Sequence, residues 1–258
     1  MMFNQLKFDL RRHFLRNSTY TFFTILMPMG FYLLFTKVMI QGSAAELATF
    51  AKTYLSSMTL YSLTINALFG VASILHEDRE SRFVTRLSLT PAGTMPYYLS
   101  ISTLVVLMNA LSVLLLELAA IVINGVALSP LQMLGSIVIA VLASLPLIAL
   151  GVLYSYAPSQ QTLSVMANLT AFPMAIISGL WWPISMLPSW AQHIGKLMPT
   201  YFGNDLLTRF LQQQSLPVRD MMGLAAWLIL LGGLLVGGTL LRHRRMMGEK
   251  FNGRKVAA

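Results

Sequence analysis

Six mainly apolar stretches, each near the length of a membrane-crossing helix, constrain this chain more than any other feature. They run near Thr19–Ile40, Thr53–Leu75, Tyr97–Asn124, Leu131–Tyr156, Thr162–Trp182 and Met221–Leu241. A hydrocarbon core about 30 Å thick takes roughly 20 such residues in a helix, where intrahelical bonds satisfy the backbone away from water. Only 10% of the 258 residues are charged, against the roughly 25% typical of soluble domains. The expected fold class is therefore an all-α polytopic membrane protein with six transmembrane helices.

Charge sets the expected orientation. Of 18 Lys and Arg, 13 fall before the first stretch, between the second and third, or after the sixth. Short cytoplasmic loops retain such residues, which puts both termini inside and favours an even number of spans. Tyr20, Tyr97, Tyr98, Tyr154 and Tyr156 then fall at inner ends, and Trp181, Trp182 and Trp190 near the outer face. The first stretch reads as a retained helix rather than a cleaved signal, because a charged segment precedes it and no small-residue cleavage site follows. The chain has no cysteine, which excludes disulfides and thiolate chemistry.

Three segments outside the spans carry patterns. In residues 1–18, Phe3, Leu6, Leu10 and Phe14 recur at helical spacing with Lys7, Arg11 and Arg12 on other faces, as in an amphipathic helix lying on the inner surface. The stretch His76-Glu77-Asp78-Arg79-Glu80-Ser81-Arg82-Phe83-Val84-Thr85-Arg86-Leu87 is the densest in mixed charge. As one helix it aligns Arg79, Arg82 and Arg86 on one side and Phe83, Val84 and Leu87 on another, until Thr90-Pro91-Ala92-Gly93 ends it. Such an element docks on a partner or is a solvated loop. The connection 183–220 holds Pro183, Pro188, Pro199 and Pro217 with apolar residues between them, and is expected to dip back into the interface or cap the bundle. Residues 242–258 form a basic tail.

Polar residues inside the spans are candidates for a substrate path or for packing. On the second span Ser57, Tyr61 and Thr64 share one stripe and Asn66 lies on the next; small and hydroxylated residues also let helices approach closely. Asn109 and Glu117 lie in the third span, where a carboxylate must be protonated, paired or face a polar cavity. Asn168 and Thr170 precede Pro173, a candidate kink, in the fifth span. Gly233 and Gly237 have the Gly-xxx-Gly spacing of close helix packing.

No phosphate-cradling G-x-x-x-x-G-K-[ST] loop occurs, and neither does a His-Glu-x-x-His or Gly-x-Ser-x-Gly motif. The four histidines are scattered, so no metal, cofactor or catalytic set is expected in the chain.

The sequence resembles the bacterial ABC-2 permeases, the integral-membrane subunits of type-2 ABC exporters. The resemblance spans nearly the whole chain. It includes Arg86-Leu87-Ser88-Leu89-Thr90-Pro91 and, most specifically, Ser178-Gly179-Leu180-Trp181-Trp182-Pro183-Ile184-Ser185-Met186-Leu187-Pro188, followed by Met198-Pro199-Thr200-Tyr201 and Arg209. Where family members often carry Gly-Thr, this chain has Arg82-Phe83. The resemblance implies a connecting helix at 1–18, a six-span domain at 19–258 and a coupling loop at 76–93. Glu77, Asp78, Arg79, Glu80, Arg82, Phe83, Arg86 and Leu87 would then meet a separate ABC ATP-binding subunit, which would bind ATP and Mg. It further implies a second permease subunit, the same or related, in the cytoplasmic membrane. A hydrophobic or amphiphilic substrate (a drug, lipid, antimicrobial compound or glycan-lipid) would pass between the two by alternating access. Ser57, Tyr61, Thr64, Asn66, Asn109, Glu117, Asn168 and Thr170 are the path candidates. An ion-coupled secondary transporter using Glu117, or a membrane sensor or scaffold, is the alternative reading.

Overall fold

The computed structural model describes Lys7, Arg11 and residues 22–39, 43–91 and 93–256, with side chains of the last helix placed through residue 238. The expected connecting helix at 1–18 therefore lies outside the described residues, apart from Lys7 and Arg11. Every described regular element is helical.

Helix α1 (Met27–Leu34) lies between π-helical turns Phe22–Leu26 and Phe35–Met39. Helix α2 (Ala44–Ile65) passes through a π segment, Asn66–Val71, into α3 (Ala72–Glu80), and α4 (Phe83–Ser88) follows a two-residue turn. Next come α5 (Met95–Asn124), α6 (Pro130–Tyr154) and α7 (Gln160–Ile177). A 3-10 turn at Ile184–Met186 and the short α8 (Ser189–Gly195) lead to α9 (Pro199–Leu211) and α10 (Val218–Val256).

Helix runs through the described part of each of the six expected places, and among the described residues four helices are long and apolar enough to cross a membrane: Glu46–Glu80, Met95–Asn124, Pro130–Tyr154 and Val218–Gly238. Thr24–Met39 is a shorter apolar helix. Two boundaries need correction. The second helix begins about two turns before Thr53, because Ser43 caps it and Glu46 returns the bond to the Ser43 backbone N–H. The fifth ends at Ile177, because Gly179 turns the chain at φ 82°, and Trp181 and Trp182 sit beyond the helix.

The long second helix is the axis of the bundle: 83% of its most apolar window is buried, against 6% for that of Val218–Gly238. It carries small hydroxylated residues on the buried side, which allow close approach because their hydroxyls bond backbone carbonyls. Thr64 Oγ1 donates to the Leu60 carbonyl at 2.7 Å, and Ser62 Oγ to the Thr24 carbonyl on the turn before α1. Around it pack α1, α5, α6 and α9. The connection after α7 thus returns into the bundle, burying Phe202, Leu206, Leu207 and Leu211. Glycines make room for it: a Cβ on Gly203 would lie 2.9 Å from Leu60 Cδ1 and 3.0 Å from Ala143 Cβ. Helix α10 lies against α6 and α9 with most of its apolar surface outward. A Cβ added at Gly233 or Gly237 would meet open space, with no neighbouring atom among the described residues within 4 Å, so their spacing serves no described contact.

Candidate translocation and coupling site

At the charged end, one helix over His76–Leu87 is replaced by two pieces. Ser81 ends α3, and Arg82 takes a left-handed backbone (φ 53°) before α4 starts. Arg79 is thereby parted from Arg82 and Arg86. It turns to the α6–α7 connection, where Nη1 donates to the Ser155 carbonyl at 2.7 Å, Nη2 to Ser155 Oγ at 3.3 Å, and the guanidinium lies 3.6 Å from the Tyr156 ring centre. His76 Nδ1 meets the same carbonyl at 3.2 Å. Asp78 is fully buried and accepts from Tyr97 Oη at 2.9 Å.

The apolar face of the segment also turns inward. Phe83, Val84 and Leu87 pack on a buried cluster of Val71, Ile74, Tyr97, Ile101 and Val105, with Phe83 edge-on to Tyr97. Glu77, Arg79, Glu80, Arg82 and Arg86 are exposed, and Arg86 Nη2 donates to the Ser81 carbonyl at 3.0 Å across the break. Of the eight residues expected to meet a partner, Asp78, Phe83 and Leu87 seat the segment, Glu77, Glu80 and Arg82 face outward, and Arg79 and Arg86 do both.

The path candidates do not converge within one chain. Asn66, in the π segment, donates to Asn109 Oδ1, and Asn109 Nδ2 donates to Ser144 Oγ at 3.0 Å, so three helices are joined by buried amides and a hydroxyl. Gly151 lies against the same segment: a Cβ there would be 2.1 Å from the Ala67 carbonyl oxygen. Glu117, 1% exposed, accepts from Ser136 Oγ through Oε1, while Oε2 has no hydrogen-bond partner among the described residues. Tyr61 is fully buried between Phe31 and Trp181. Thr170 shares a hydrogen bond with Tyr154 Oη at 2.6 Å, and Asn168 is exposed on α7, bonded to the Ser164 carbonyl at 2.7 Å.

Ser57 lies at the other end, with Oγ 3.3 Å from Asn204 Oδ1 of α9. Both line a cavity of about 710 Å³ between the start of α2, the turn after α7 and α9. Its walls carry Glu46, Phe50, Tyr54, Trp181, Trp182, Tyr201 and Asp205. Asp205 accepts from Arg209 Nε at 2.8 Å, one helical turn on, which holds that guanidinium protonated. Burial, then the negative charge of Asp205, pushes the Tyr201 hydroxyl up. Patterns along single helices do not reveal this cavity, since its walls come from three separate parts of the chain. Ser57, the Ser-Gly-Leu-Trp-Trp-Pro run and Tyr201 are its traces in the sequence.

Comparison with known proteins identifies the family. A family model described as "ABC-2 type transporter" matches residues 5–210. The chain is also 27% identical over 194 residues to a Bacillus subtilis (strain 168) protein named "Putative transport permease YvfS", covering 74% of this chain and 78% of that one. No solved structure matches. With four long apolar helices joined to a fastened charged segment and a family match over most of its length, the chain belongs to the ABC-2 type transporter family, the membrane-spanning permeases.

Proposed function

We propose that this chain is the permease subunit of an ATP-driven exporter in the bacterial cytoplasmic membrane, working with a second permease subunit and separate ATP-binding subunits. The observation that carries the reading is the 76–91 segment. A solvated connector has no need of a buried Asp78–Tyr97 bond, an Arg79 fork on Ser155 and an apolar underside seated on α3 and α5. Held in this way, it presents Glu77, Glu80, Arg82 and Arg86 as a rigid charged surface to the cytoplasm. Force on that surface would pass along two routes: through Arg79 to the α6–α7 connection, and through α3 to the π segment and its Asn66–Asn109–Ser144 link. The second route reaches the middle of the bundle.

Alternating access between two such subunits would then move a hydrophobic or amphiphilic substrate, with ATP and Mg held by the partner, a reading supported by family membership as a permease. The test is hydrolysis in proteoliposomes. The purified chain alone should turn over no ATP, and substrate-stimulated hydrolysis should appear when its ATP-binding subunit is added. Robust hydrolysis by the chain alone, surviving contaminant controls, contradicts the reading.

A further inference from the structure

The cavity at the Glu46 end has a lining whose chemistry selects a class of ligand. At about 710 Å³ it falls in the range of small-molecule sites. Phe50, Trp182 and Tyr201 give it aromatic walls, Tyr54 stacks its ring on Phe50 and Tyr32, and its charged lining residues are Glu46 and Asp205, with no Lys, Arg or His among them. Arg209, beside the cavity, balances Asp205. Glu46 differs: the Ser43 backbone N–H and hydroxyl hold its Oε2 at 2.9 and 2.7 Å, which orients the carboxylate, and no cation pairs with it among the described residues. Tyr54 adds an independent sign. It is 5% exposed and its hydroxyl has no hydrogen-bond partner among the described residues. A buried hydroxyl left open in this way can take a partner from whatever enters the cavity, water or a ligand.

We propose that this cavity binds the positively charged part of an organic cation, with the aromatic faces meeting the cation and Glu46 supplying the opposite charge. Ring faces attract cations through their quadrupole, most strongly where water is excluded, and a quaternary centre with apolar substituents satisfies rings and carboxylate together. An anionic ligand would meet Glu46 and Asp205 unfavourably. The inference rests on the transport reading only in making such a cation a cargo; binding itself needs neither ATP nor the partner.

The test uses two ions of matched size and opposite charge, tetraphenylphosphonium and tetraphenylborate. Each is titrated separately by calorimetry into the full chain in nonionic-detergent micelles, with the heat of chain-free micelles subtracted. Saturable binding of the phosphonium and none of the borate is expected. Glu46→Gln and Trp182→Ala, both at exposed side chains, should each weaken phosphonium binding about three- to fivefold, with cooperative unfolding retained because Gln keeps an acceptor for the Ser43 backbone N–H. Equal binding of both ions, no saturable phosphonium binding, or variants that bind like the parent would overturn the proposal. If Glu46→Gln does not fold, the ion comparison and Trp182→Ala still decide it. Phosphonium binding by a chain that never engages an ATP-binding subunit would support the site and sink the exporter reading, so the two fail separately.

Discussion

Arg79 Nη1 donates to the Ser155 carbonyl at 2.7 Å, tying the charged end of the longest buried helix to the turn that joins α6 and α7. Arg79 is thus a fastener of the segment it belongs to. Lys in its place can reach the carbonyl but cannot also fork to Ser155 Oγ and lie flat on Tyr156. Because the side chain is partly solvated, Arg79→Lys should cost only about 1 kcal/mol of stability, read as a small fall in the unfolding midpoint in detergent. Its larger expected effect is uncoupling: an ATP-binding subunit still co-purifies, but substrate-stimulated hydrolysis drops.

Gly151→Ala places a methyl group 2.1 Å from the Ala67 carbonyl oxygen, and that backbone cannot yield without moving the π segment. Overpacking of this kind costs roughly 1–3 kcal/mol. Gly233→Ala, with open space around it, should be nearly neutral and serves as the control. The check is thermal unfolding of both variants in the same detergent; equal midpoints would mean that the close approach at Gly151 is not maintained.

Asn109→Leu leaves the amide of Asn66 and the hydroxyl of Ser144 without their shared partner, at an expected cost of about 1–3 kcal/mol. Adding Asn66→Leu should cost less than the sum of the two single changes, since the pair fails as a unit. Strict additivity in a double-mutant cycle would contradict the link.

Glu117→Gln keeps a hydrogen-bond acceptor for Ser136 while removing a titratable group. An ATP-driven permease should retain most of its transport in this variant. Loss of transport, together with dependence of the parent on a proton gradient, would instead support ion coupling through Glu117.

Hydropathy locates the helices because each apolar run has to bury its own backbone, and α5 (Met95–Asn124) falls within two residues of its expected span. Where polar residues enter a helix, hydropathy misplaces its end. Glu46 and Lys52 dilute the start of the second span, and the Ser43–Glu46 capping box is what begins it. The break at Arg82 is not legible, since a positive φ is uncommon for arginine and nothing nearby demands one locally. The candidate site is legible in its parts but not in its joins. Asn66, Asn109 and Glu117 stand out as polar groups in apolar helices, whereas Ser144, Ser136 and Ser155 become their partners, or that of Arg79, only through the rotation and depth of other helices. Phe83 and Leu87 read as a free apolar face because the surface beneath them, around Tyr97 and Ile101, comes from the next span.

The central claim is that an ATP-binding subunit drives this permease through the exposed charges of the 76–91 segment, and co-purification measures it directly. The tagged full chain, co-expressed with the ATP-binding subunit and extracted in mild detergent, should retain that subunit. Arg82→Glu combined with Arg86→Glu reverses two exposed charges and, apart from the exposed Arg86–Ser81 carbonyl bond, leaves the Asp78, Arg79 and Phe83 contacts in place. Reversal at a partner surface should reduce recovery of the subunit about tenfold and make the remainder more salt-sensitive, with membrane insertion unchanged. Equal recovery of the ATP-binding subunit by parent and double variant, at low and high salt, would contradict the account.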